Sequence, residues 1–559
     1  MNEKKVQKQT FLQGTAVLAM ATILVKLMGF LFKTPLNNII GSTGFGYFNT
    51  AYDVYNVLLM ISTTGLPVAM SRMISEAQAL GNEAQIKRIF KTAIYVFIAI
   101  GVAGSLVMLV FCRQLSVMVT NSENSWAAIA ALAPCVLLIC LISAYRGFFQ
   151  GQSSMTPTSV SQIFESITRL VVGLGLAWLV MELTGERFVH EHGIVLEPGQ
   201  SVTDYGDITL AAGGAILGVT LGCLISVIYL HVKYRGASSA LADAAGTPKS
   251  GRATMKELLS IAVPITLGSA GLQIINLFDT MIYMRRLELG LGWSVEMAEN
   301  LKGVYNYQQT IFALPCAFIP TITIACIPAI TAALTRRELD NVRATEESAI
   351  RTMALVAMPC AAGLFAMAEP VIRLLCTSYT PEQLAVATKM LMILGVAVIF
   401  NSLVLLFNAF MQAHGDVTSP VINMFIGGIV KIAVNYVLVG IPEINIVGAP
   451  VGTLVCYGVI TVLNYFALRR CVKGNLPIFR NLIRPLIASA IMGAGTFMVY
   501  RVLRTLLPSG RLACLAALLF AVCLYLILAV ALRCITYEDC MLLPKGEKIA
   551  KILRIREKN

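Results

Sequence analysis

The chain has 559 residues, of which 57% are hydrophobic and only 13% are charged, with a formal net charge of +13. Soluble domains have roughly 45–50% apolar and about 25% charged residues, so this composition excludes an ordinary soluble protein. The apolar residues form long uninterrupted runs, whereas the strands of an outer-membrane barrel would alternate. Runs of about 20 apolar residues predict helices that cross a bilayer.

Such runs occur along the whole chain and predict fourteen spans. They cover residues 11–33, 47–70, 90–112, 126–149, 158–182, 208–231, 258–284, 304–333, 350–376, 384–411, 417–440, 446–468, 481–504 and 511–533. Basic residues cluster in the two tails and in the loops after even-numbered spans. By the positive-inside rule, both termini are predicted in the cytoplasm. The excess charge then lies beside anionic lipid headgroups, and no nucleic-acid partner is needed.

The first two spans carry charged residues. A charged side chain at the bilayer centre costs at least about 2.5–3.5 kcal/mol, so it usually faces a cavity or a partner. Lys26 and Lys33 are seven residues apart and therefore share a helix face. Asp53 lies at a matching depth on the second span, which makes Lys26 its plausible partner. The structural alternatives are a pair that only fastens two helices, and a Lys33 side chain that extends to the membrane surface.

Spans five to seven add further charges. Glu165 and Arg169 are four residues apart, which taken alone favours a local ion pair. Asp279 lies near the outer end of span seven, with Arg285 and Arg286 as candidate partners.

Two features of the same region have structural interpretations. His190 and His192 lie in the polar loop after span five, where an exposed loop is favoured over a metal site because no further ligand cluster accompanies them. On span six, glycines recur every four residues and predict close helix contact. They are Gly214, Gly218 and Gly222.

An internal repeat relates the two halves of the chain. Residues 149–173 align without gaps onto 411–435, so that Arg169 falls on Lys431, which has no equivalent acid. Six spans per half predict a parallel repeat with a central cleft. Cations from two lobes beside such a cleft suit a shared anionic group. The predicted domains are an N-terminal lobe (1–232), a cytoplasmic linker (233–257), a C-terminal lobe (258–470), and spans thirteen and fourteen with a basic tail (471–559).

Several motifs are absent from the sequence. There is no GxxxxGK[ST] phosphate-binding loop and no HExxH motif. We therefore expect no enzymatic activity, no cofactor and no metal. The energy for transport is expected from an ion gradient, the membrane potential, the substrate gradient or a partner. If an ion gradient supplies it, the sequence does not identify the coupling cation.

The opening stretch resembles a known family. Its most specific pieces are Lys26-x-x-Gly29, Gly44-Phe-Gly46-Tyr47 and Gly65-Leu-Pro67. They are similar to the stage V sporulation protein B-like polysaccharide transporters and to MurJ-type lipid II flippases, within the multidrug/oligosaccharidyl-lipid/polysaccharide exporter superfamily. The fold class is thus an all-α polytopic membrane protein of about 14 transmembrane helices, with two six-helix lobes and two C-terminal helices.

The resemblance implies export of a lipid-linked oligosaccharide by alternating access. In this family a cationic cavity binds the pyrophosphate and the last two spans form a groove for the polyprenyl tail. Lys26 and Lys33 fall where MurJ-type proteins carry essential basic residues. One position departs from that pattern: Gln309 and Thr310 stand where those proteins have an acidic–basic pair, so that part of the charged site is missing.

The leading hypothesis is an outward flippase for a polyprenyl-diphosphate-linked cell-wall or polysaccharide precursor in the bacterial plasma membrane. The expected diphosphate ligands are Lys26, Lys33, Arg169 and Lys431. Asp53 and Glu165 would compete for these cations in the empty site, and Asp279 is a further charge-pairing candidate.

Two alternatives remain open. An ion-coupled drug or metabolite antiporter would depend on its acidic residues more than on its cations. A membrane scaffold for wall or spore-cortex synthesis would tolerate neutral replacements of its intramembrane charges. Anionic lipids and cell-wall synthesis proteins are the expected partners.

Overall fold

The structure is a computed structural model that describes residues 11–194, 200–239, 246–472 and 477–534. The described residues form eighteen α-helices and no β-strand. The chain divides into two compact units, residues 1–307 and 308–559. The predicted lobes, with their boundary in the 233–257 linker, stay a prediction. The basic tails, on which part of the predicted orientation rests, lie outside the described residues.

In the first unit, α5 and α8 pack against each other at the centre, α3 packs on α5, and α6 and α7 pack on α8. Its helices are α1 (Phe11–Met60), α2 (Leu66–Ala79), α3 (Glu83–Val110), α4 (Cys112–Thr120), α5 (Trp126–Gly151), α6 (Thr156–Thr168), α7 (Leu174–His192), α8 (Ile208–Ser239), α9 (Gly251–Arg285) and the first part of α10 (Val295–Cys316). Single π-helical turns join α1 to α2 and α6 to α7, and a third follows α9. They are Ile61–Gly65, Arg169–Gly173 and Arg286–Gly290.

In the second unit, α12 packs against α11, α14 and α17, and α16 packs on α14 and α15. Its helices after α10 are α11 (Ile319–Thr335), α12 (Leu339–Ala366), α13 (Ala368–Leu375), α14 (Pro381–Ala413), α15 (Thr418–Val439), α16 (Gly448–Cys471), α17 (Ile478–Leu506) and α18 (Gly510–Ala531). The core of this unit lies between α12 and α14, where side chains such as Ile350, Met353 and Phe407 are buried.

The helices confirm a polytopic membrane protein with about fourteen spans. Within the described residues, twelve helices are long and apolar enough to cross a membrane. The first of these, Met20–Met60, bends at Gly41, where the backbone (φ 68°, ψ 178°) is not helical, and so contains most of the first predicted span and most of the second. The predicted span 304–333 corresponds to α10 and α11, which are interrupted after Pro315.

The helix ends of the two halves support the internal repeat. α5 ends at Gly151 and α6 begins at Thr156, whereas α14 ends at Ala413 and α15 begins at Thr418. Each pair of positions differs by the 262 residues that separate the aligned segments. The turn between the helices repeats as well, because Ser153 (φ 58°) and Gly415 (φ 90°) both have positive φ.

Side-chain contacts recur at equivalent positions of the repeat. Arg146 donates from Nε to Ser161 Oγ (3.0 Å) between α5 and α6. The equivalent Asn408 and Asn423 are joined through Asn464 of α16, with distances of 2.8 and 2.9 Å. The first half therefore has a charged link where the second half has neutral amides.

The glycine stripe of span six makes the predicted close contact. A Cβ at Gly222 would lie 2.8 Å from the carbonyl oxygen of Glu165, and one at Gly218 would overlap the backbone of Gly173. Only residues without a side chain allow α8 to approach the α6–α7 segment so closely. This contact positions the π-helical turn that begins at Arg169.

Candidate functional site

The sequence-predicted cations of the first unit lie on two elements, α1 and the π-helical turn after α6. Lys26, Gly29 and Lys33 share one face of α1 by their spacing. The other face consists of exposed leucines: Leu24, Leu27 and Leu31. A Cβ at Gly29 would lie 3.6 Å from Arg169 Nη2. The polar face of α1 is therefore the face turned toward Arg169.

Arg169 is held by aromatic neighbours. Its guanidinium carbon lies 5.7 Å from the ring centroid of Phe32, within the range of a cation–π interaction. The hydroxyl of Tyr52 is a hydrogen-bonding neighbour of Arg169. Its Nε is buried and has no hydrogen-bond partner among the residues that the structure describes. A buried donor without a partner is costly, and an anionic ligand would satisfy it.

Lys33 belongs to the same cluster. It interacts electrostatically with Arg169, which repels it, and with Asp53, which attracts it. Lys26, seven residues earlier on the same helix face, is exposed. The structure thus brings Lys33 and Arg169 together and places Lys26 beside them along α1.

Asp53 pairs with Lys302 rather than with Lys26. The Nζ of Lys302 lies 2.9 Å from Asp53 Oδ2 and donates to Thr50 Oγ1 at 2.7 Å. The side chain of Lys302 is 0% exposed and that of Asp53 is 26% exposed. The predicted Lys26–Asp53 pair is therefore wrong, because α10 brings a closer and fully buried cation to Asp53.

Tight packing between α1 and α10 explains this choice of partner. A Cβ at Gly46 would lie 2.7 Å from the carbonyl oxygen of Glu299, and one at Gly303 would overlap the carbonyl of Ser42. Asn300 Nδ2 donates to the hydroxyls of Ser42 (2.8 Å) and Thr43 (3.0 Å). Lys302 was missed at the sequence level because it precedes predicted span eight by two residues. The signal that could have found it is the intramembrane acid Asp53, which requires a cation.

Glu165 also has a different partner from the predicted one. Its Oε2 accepts from Arg146 Nη2 at 3.0 Å, and both side chains are largely buried. The interpretation of Glu165 and Arg169 as a local ion pair is therefore wrong. An i,i+4 pair contributes only about 0.2–0.5 kcal/mol, so a well-oriented guanidinium from α5 is the stronger competitor. Glu165 consequently does not neutralise Arg169, which keeps its positive charge near Lys33.

The remaining predicted residues, Asp279 and Lys431, take no part in the Lys302–Asp53 and Arg146–Glu165 ion pairs. Asp279 of α9 is buried, and Tyr283 interacts electrostatically with both Asp279 and Asp53. Lys431 lies on α15 of the second unit, thirteen residues after the start of its helix segment, as Arg169 does after Thr156. Whether Lys431 shares a cavity with the first-unit cations stays a prediction. Among the described residues, no group of three or more metal-binding side chains occurs.

The turn that precedes α15 is well defined. Asp416 Oδ1 accepts from the backbone N–H groups of Thr418 (3.2 Å) and Ser419 (3.0 Å). Hydrogen bonding by Ser419 holds the pKa of Asp416 below its usual value. The carboxylate thus caps the helix on which Lys431 lies.

The second unit contains an apolar groove of about 590 Å³ between α12, α14 and α17. Its lining includes Met358, Phe365, Val396, Leu486, Gly493 and Phe497. α17 corresponds to the thirteenth predicted span, one of the two that the resemblance assigns to a lipid tail. The groove has the chemistry of a site for a hydrocarbon chain.

Comparisons with known proteins agree with this architecture. The stage V sporulation protein B of Bacillus subtilis is 25% identical over 82% of this chain and 83% of its own length. The lipid II flippase MurJ of the same organism is 23% identical over 88% and 89%, respectively. A solved structure of a lipid II flippase MurJ in an inward closed conformation shares the fold, with a TM-score of 0.62 at 14% identity, over 94% of this chain and 100% of that one.

Family models match in two places. The MatE model matches residues 303–437. The model described as polysaccharide biosynthesis protein matches residues 11–334, which include Lys26, Lys33, Arg169 and Lys302. Because this match covers more than half of the 559 residues, the chain belongs to the polysaccharide biosynthesis protein family, as a multi-pass membrane protein with a transporter fold.

Proposed function

We propose that this chain is a flippase that moves a polyprenyl-diphosphate-linked oligosaccharide outward across the bacterial plasma membrane by alternating access. The observation that carries the proposal is the Arg169 guanidinium, which is held inside a membrane-spanning region with a buried, unpartnered Nε and with Lys33 beside it. A diphosphate is the complementary ligand, because its oxygens accept several charge-assisted hydrogen bonds at once.

The residues of the cluster have distinct roles in this proposal. Arg169 and Lys33 contact the diphosphate directly, and Lys26 extends the cationic face of α1 along its path. Lys431 supplies the equivalent cation from the second unit. Asp53 and Glu165 keep Lys302 and Arg146 in place, so they act on the position of α10 and α5 rather than as competitors for the substrate-binding cations.

The apolar groove of the second unit accounts for the other half of such a substrate. A polyprenyl chain is a hydrocarbon, and the groove is lined along three helices by Met, Phe, Val, Ile, Leu, Ala and Gly residues, with Ser489 as the single polar residue of its lining. An apolar groove suits a hydrocarbon chain, and a cationic cluster suits a diphosphate. Together they favour a lipid-linked anion as the substrate over a small cationic drug.

The relatives support the same class of substrate. The name of the MurJ relative states a lipid II substrate, and that of another relative states a role in sporulation. By analogy we assign this chain to export of a cell-wall or polysaccharide precursor, with cytoplasmic termini, anionic lipids around its basic loops, and cell-wall synthesis proteins as partners.

Mass spectrometry of lipid that co-purifies with the gently extracted protein tests the proposal. We expect a polyprenyl-diphosphate sugar with the wild type and at least about tenfold less with Arg169→Gln, since a hydrogen bond to a charged group contributes about 1.5–3 kcal/mol. Arg187→Gln is the matched control, because Arg187 lies on the same helical segment with its side chain 79% exposed. No such lipid in any preparation would contradict the proposal.

Replacement of the acids separates the alternatives. An ion-coupled antiporter would lose transport with Asp53→Asn at intact protein levels and keep it with Arg169→Gln. A scaffold would tolerate both replacements, provided that the protein still folds. The flippase hypothesis requires Arg169 for transport. It predicts that Asp53→Asn lowers transport only to the extent that it destabilises the protein.

A further inference from the structure

A buried acid and a histidine face each other in the second unit, where the beginning of α12 packs against the end of α14. Glu346 of α12 is buried, as are Val342 and Ile350, four residues before and after it on the same helix face. The side chain of His414, the first residue after α14, is 8% exposed. His414 Nε2 lies 3.6 Å from Glu346 Oε1. The proposed function uses neither residue.

The carboxylate of Glu346 lacks a donor. Its Oε1 and Oε2 are both buried and have no hydrogen-bond partner among the residues that the structure describes. An ionised carboxylate in such a place is costly, because burial removes its water and no donor replaces that water. A proton held between the carboxylate and the imidazole of His414 would supply the missing donor.

The other ring nitrogen of His414 shows that the pair is short of one proton. Nδ1 lies 2.9 Å from the carbonyl oxygen of Phe410. A carbonyl oxygen only accepts, so Nδ1 carries a hydrogen and donates it. In a neutral imidazole this leaves Nε2 as an acceptor, which then faces the acceptor oxygens of Glu346. One additional proton, on either residue, turns this repulsive contact into a hydrogen bond.

The nearest charges favour a proton at this place. Glu347, the next residue of α12, acts electrostatically on Glu346 with a charge of the same sign. Arg343 Nε lies 3.1 Å and Arg351 Nη1 lies 4.0 Å from the carboxylate of Glu347. These two arginines therefore balance Glu347, and His414 is the ion-pair partner of Glu346.

The other elements packed around the pair engage their charges elsewhere. Asp416, in the turn after α14, accepts from the backbone N–H groups at the start of α15. Residues 319–335 of α11 contain one titratable side chain, the thiol of Cys326. Arg469 of α16 lies over the ring of Tyr465, and Arg484 of α17 donates to a backbone carbonyl. The remaining charged residues at these helix ends are exposed: Arg336, Arg337, Glu338, Asp340, Arg470 and Arg480.

The first half of the internal repeat makes the same helix contact without an acid or a histidine. α3 and α12 are both 28 residues long and begin at residues 83 and 339, so Phe90 is equivalent to Glu346. The aligned segments place Gln152 at the position of His414. Phe90 packs against Phe148 of α5, with ring centroids 5.3 Å apart. Neutral side chains are thus sufficient to pack these helices, and packing does not account for the pair in the second half.

We propose that Glu346 and His414 form a proton-binding site that takes up one proton at neutral pH from the side of the membrane where α12 begins, the cytoplasm in the predicted orientation. The proton exchanges through His414, which has the exposed surface, and joins the end of α14 to α12 while it is bound. The two residues titrate as a pair. The proposal adds an ion to the proposed function and does not depend on a lipid-linked substrate.

Proton release on unfolding tests the site. The purified full-length protein is unfolded in weakly buffered detergent at about pH 7.5, where an unfolded chain holds no proton on glutamate and little on histidine, and released protons are counted with an indicator dye. We expect the wild type to release about one proton more than Glu346→Gln, whose amide donates to His414 Nε2 in place of the proton. Glu338→Gln, which neutralises an exposed acid at the start of the same helix, should release as many as the wild type.

The pH dependence of the unfolding temperature is a second readout. Above about pH 7 the folded wild type binds one proton more than the unfolded chain, so its stability falls as the pH rises. In Glu346→Gln the folded site binds no proton, so that fall is absent. Relative to the wild type, Glu346→Gln should therefore gain about 1–3 °C for each pH unit between about pH 7 and about pH 9.

Equal proton release by the wild type and Glu346→Gln, an equal change in Glu338→Gln, or the same pH profile for the wild type and Glu346→Gln would overturn the proposal. Glu346→Gln/His414→Gln, an amide pair like that of Asn423 and Asn464, replaces the single variant if that variant fails to fold, and it should release one proton fewer as well. A proton lost in these variants supports the site even if the protein flips no lipid-linked sugar.

Discussion

Lys302 and Asp53 form an ion pair, Nζ to Oδ2 at 2.9 Å, in which the lysine side chain has no exposed surface while the aspartate retains 26%. The pair joins α10 to α1 next to Lys33, which interacts electrostatically with Asp53. Because the two side chains differ in burial, replacing the aspartate and replacing the lysine should lower the stability of the protein by different amounts.

Asp53→Asn is therefore expected to destabilise the protein more than Lys302→Met. The first variant leaves a fully buried cation without its carboxylate, at a cost of about 3–5 kcal/mol, whereas the second leaves a partly hydrated acid. Thermal unfolding in detergent measures both, and Asp53→Asn/Lys302→Met should recover part of the loss. Equal destabilisation by the two single variants would show that the pair is solvated from both sides.

Arg146→Gln and Arg169→Gln should separate stability from binding. Arg146 neutralises Glu165, so its loss should lower the unfolding temperature, by a free energy of about 1–3 kcal/mol. Arg169→Gln breaks no ion pair among the described residues, because Glu165 pairs with Arg146, and should change stability by less than about 1 kcal/mol while it weakens lipid binding. Unfolding and lipid retention are measured on the same preparations. A larger stability loss in Arg169→Gln would make that residue a structural one.

Gly218→Ala tests the helix contact that positions Arg169. A Cβ at Gly218 overlaps the backbone of Gly173, so we expect destabilisation of about 1–3 kcal/mol from overpacking. Gly175→Ala is the matched control on the neighbouring helix, because a Cβ there meets nothing within 4 Å. Equal unfolding temperatures for the two variants would mean that α8 can move away without cost.

Glu346→Gln should leave the second unit as stable as before or stabilise it. Glu346 is buried, His414 Nε2 lies 3.6 Å from its Oε1, and neither carboxylate oxygen has a hydrogen-bond partner among the described residues. Removing a poorly satisfied buried acid relieves its desolvation cost. Thermal unfolding is again the measurement, with Glu347→Gln as the control. A loss of more than about 2 kcal/mol would show that the Glu346–His414 contact is a strong ion pair.

The sequence predicts the helices and the repeat well, whereas the role of the cations as substrate ligands stays a prediction. Hydropathy depends only on local composition, and the repeat register is confirmed by helix ends that agree residue for residue. The position of Arg169 after Thr156 and that of Lys431 after Thr418 follow from the same alignment.

Ion-pair partners could not be predicted in the same way. Lys302 and Arg146 reach Asp53 and Glu165 from other helices, and those approaches depend on interhelical packing such as that of Gly46 and Gly303. Pairings proposed from residues within one or two neighbouring spans ignored these contacts. Tertiary geometry decides between cations of similar chemistry, and hydropathy contains no information about it.

In the proposed function, Arg169 binds the diphosphate of a lipid-linked sugar. The most direct measurement is the flipping rate of a fluorescent polyprenyl-diphosphate sugar in proteoliposomes, followed as the accessibility of its fluorophore to an external quencher. We predict that Arg169→Gln slows flipping by about ten- to a hundredfold, while Arg187→Gln flips like the wild type. Equal rates for Arg169→Gln and wild type, at equal protein levels, would contradict it.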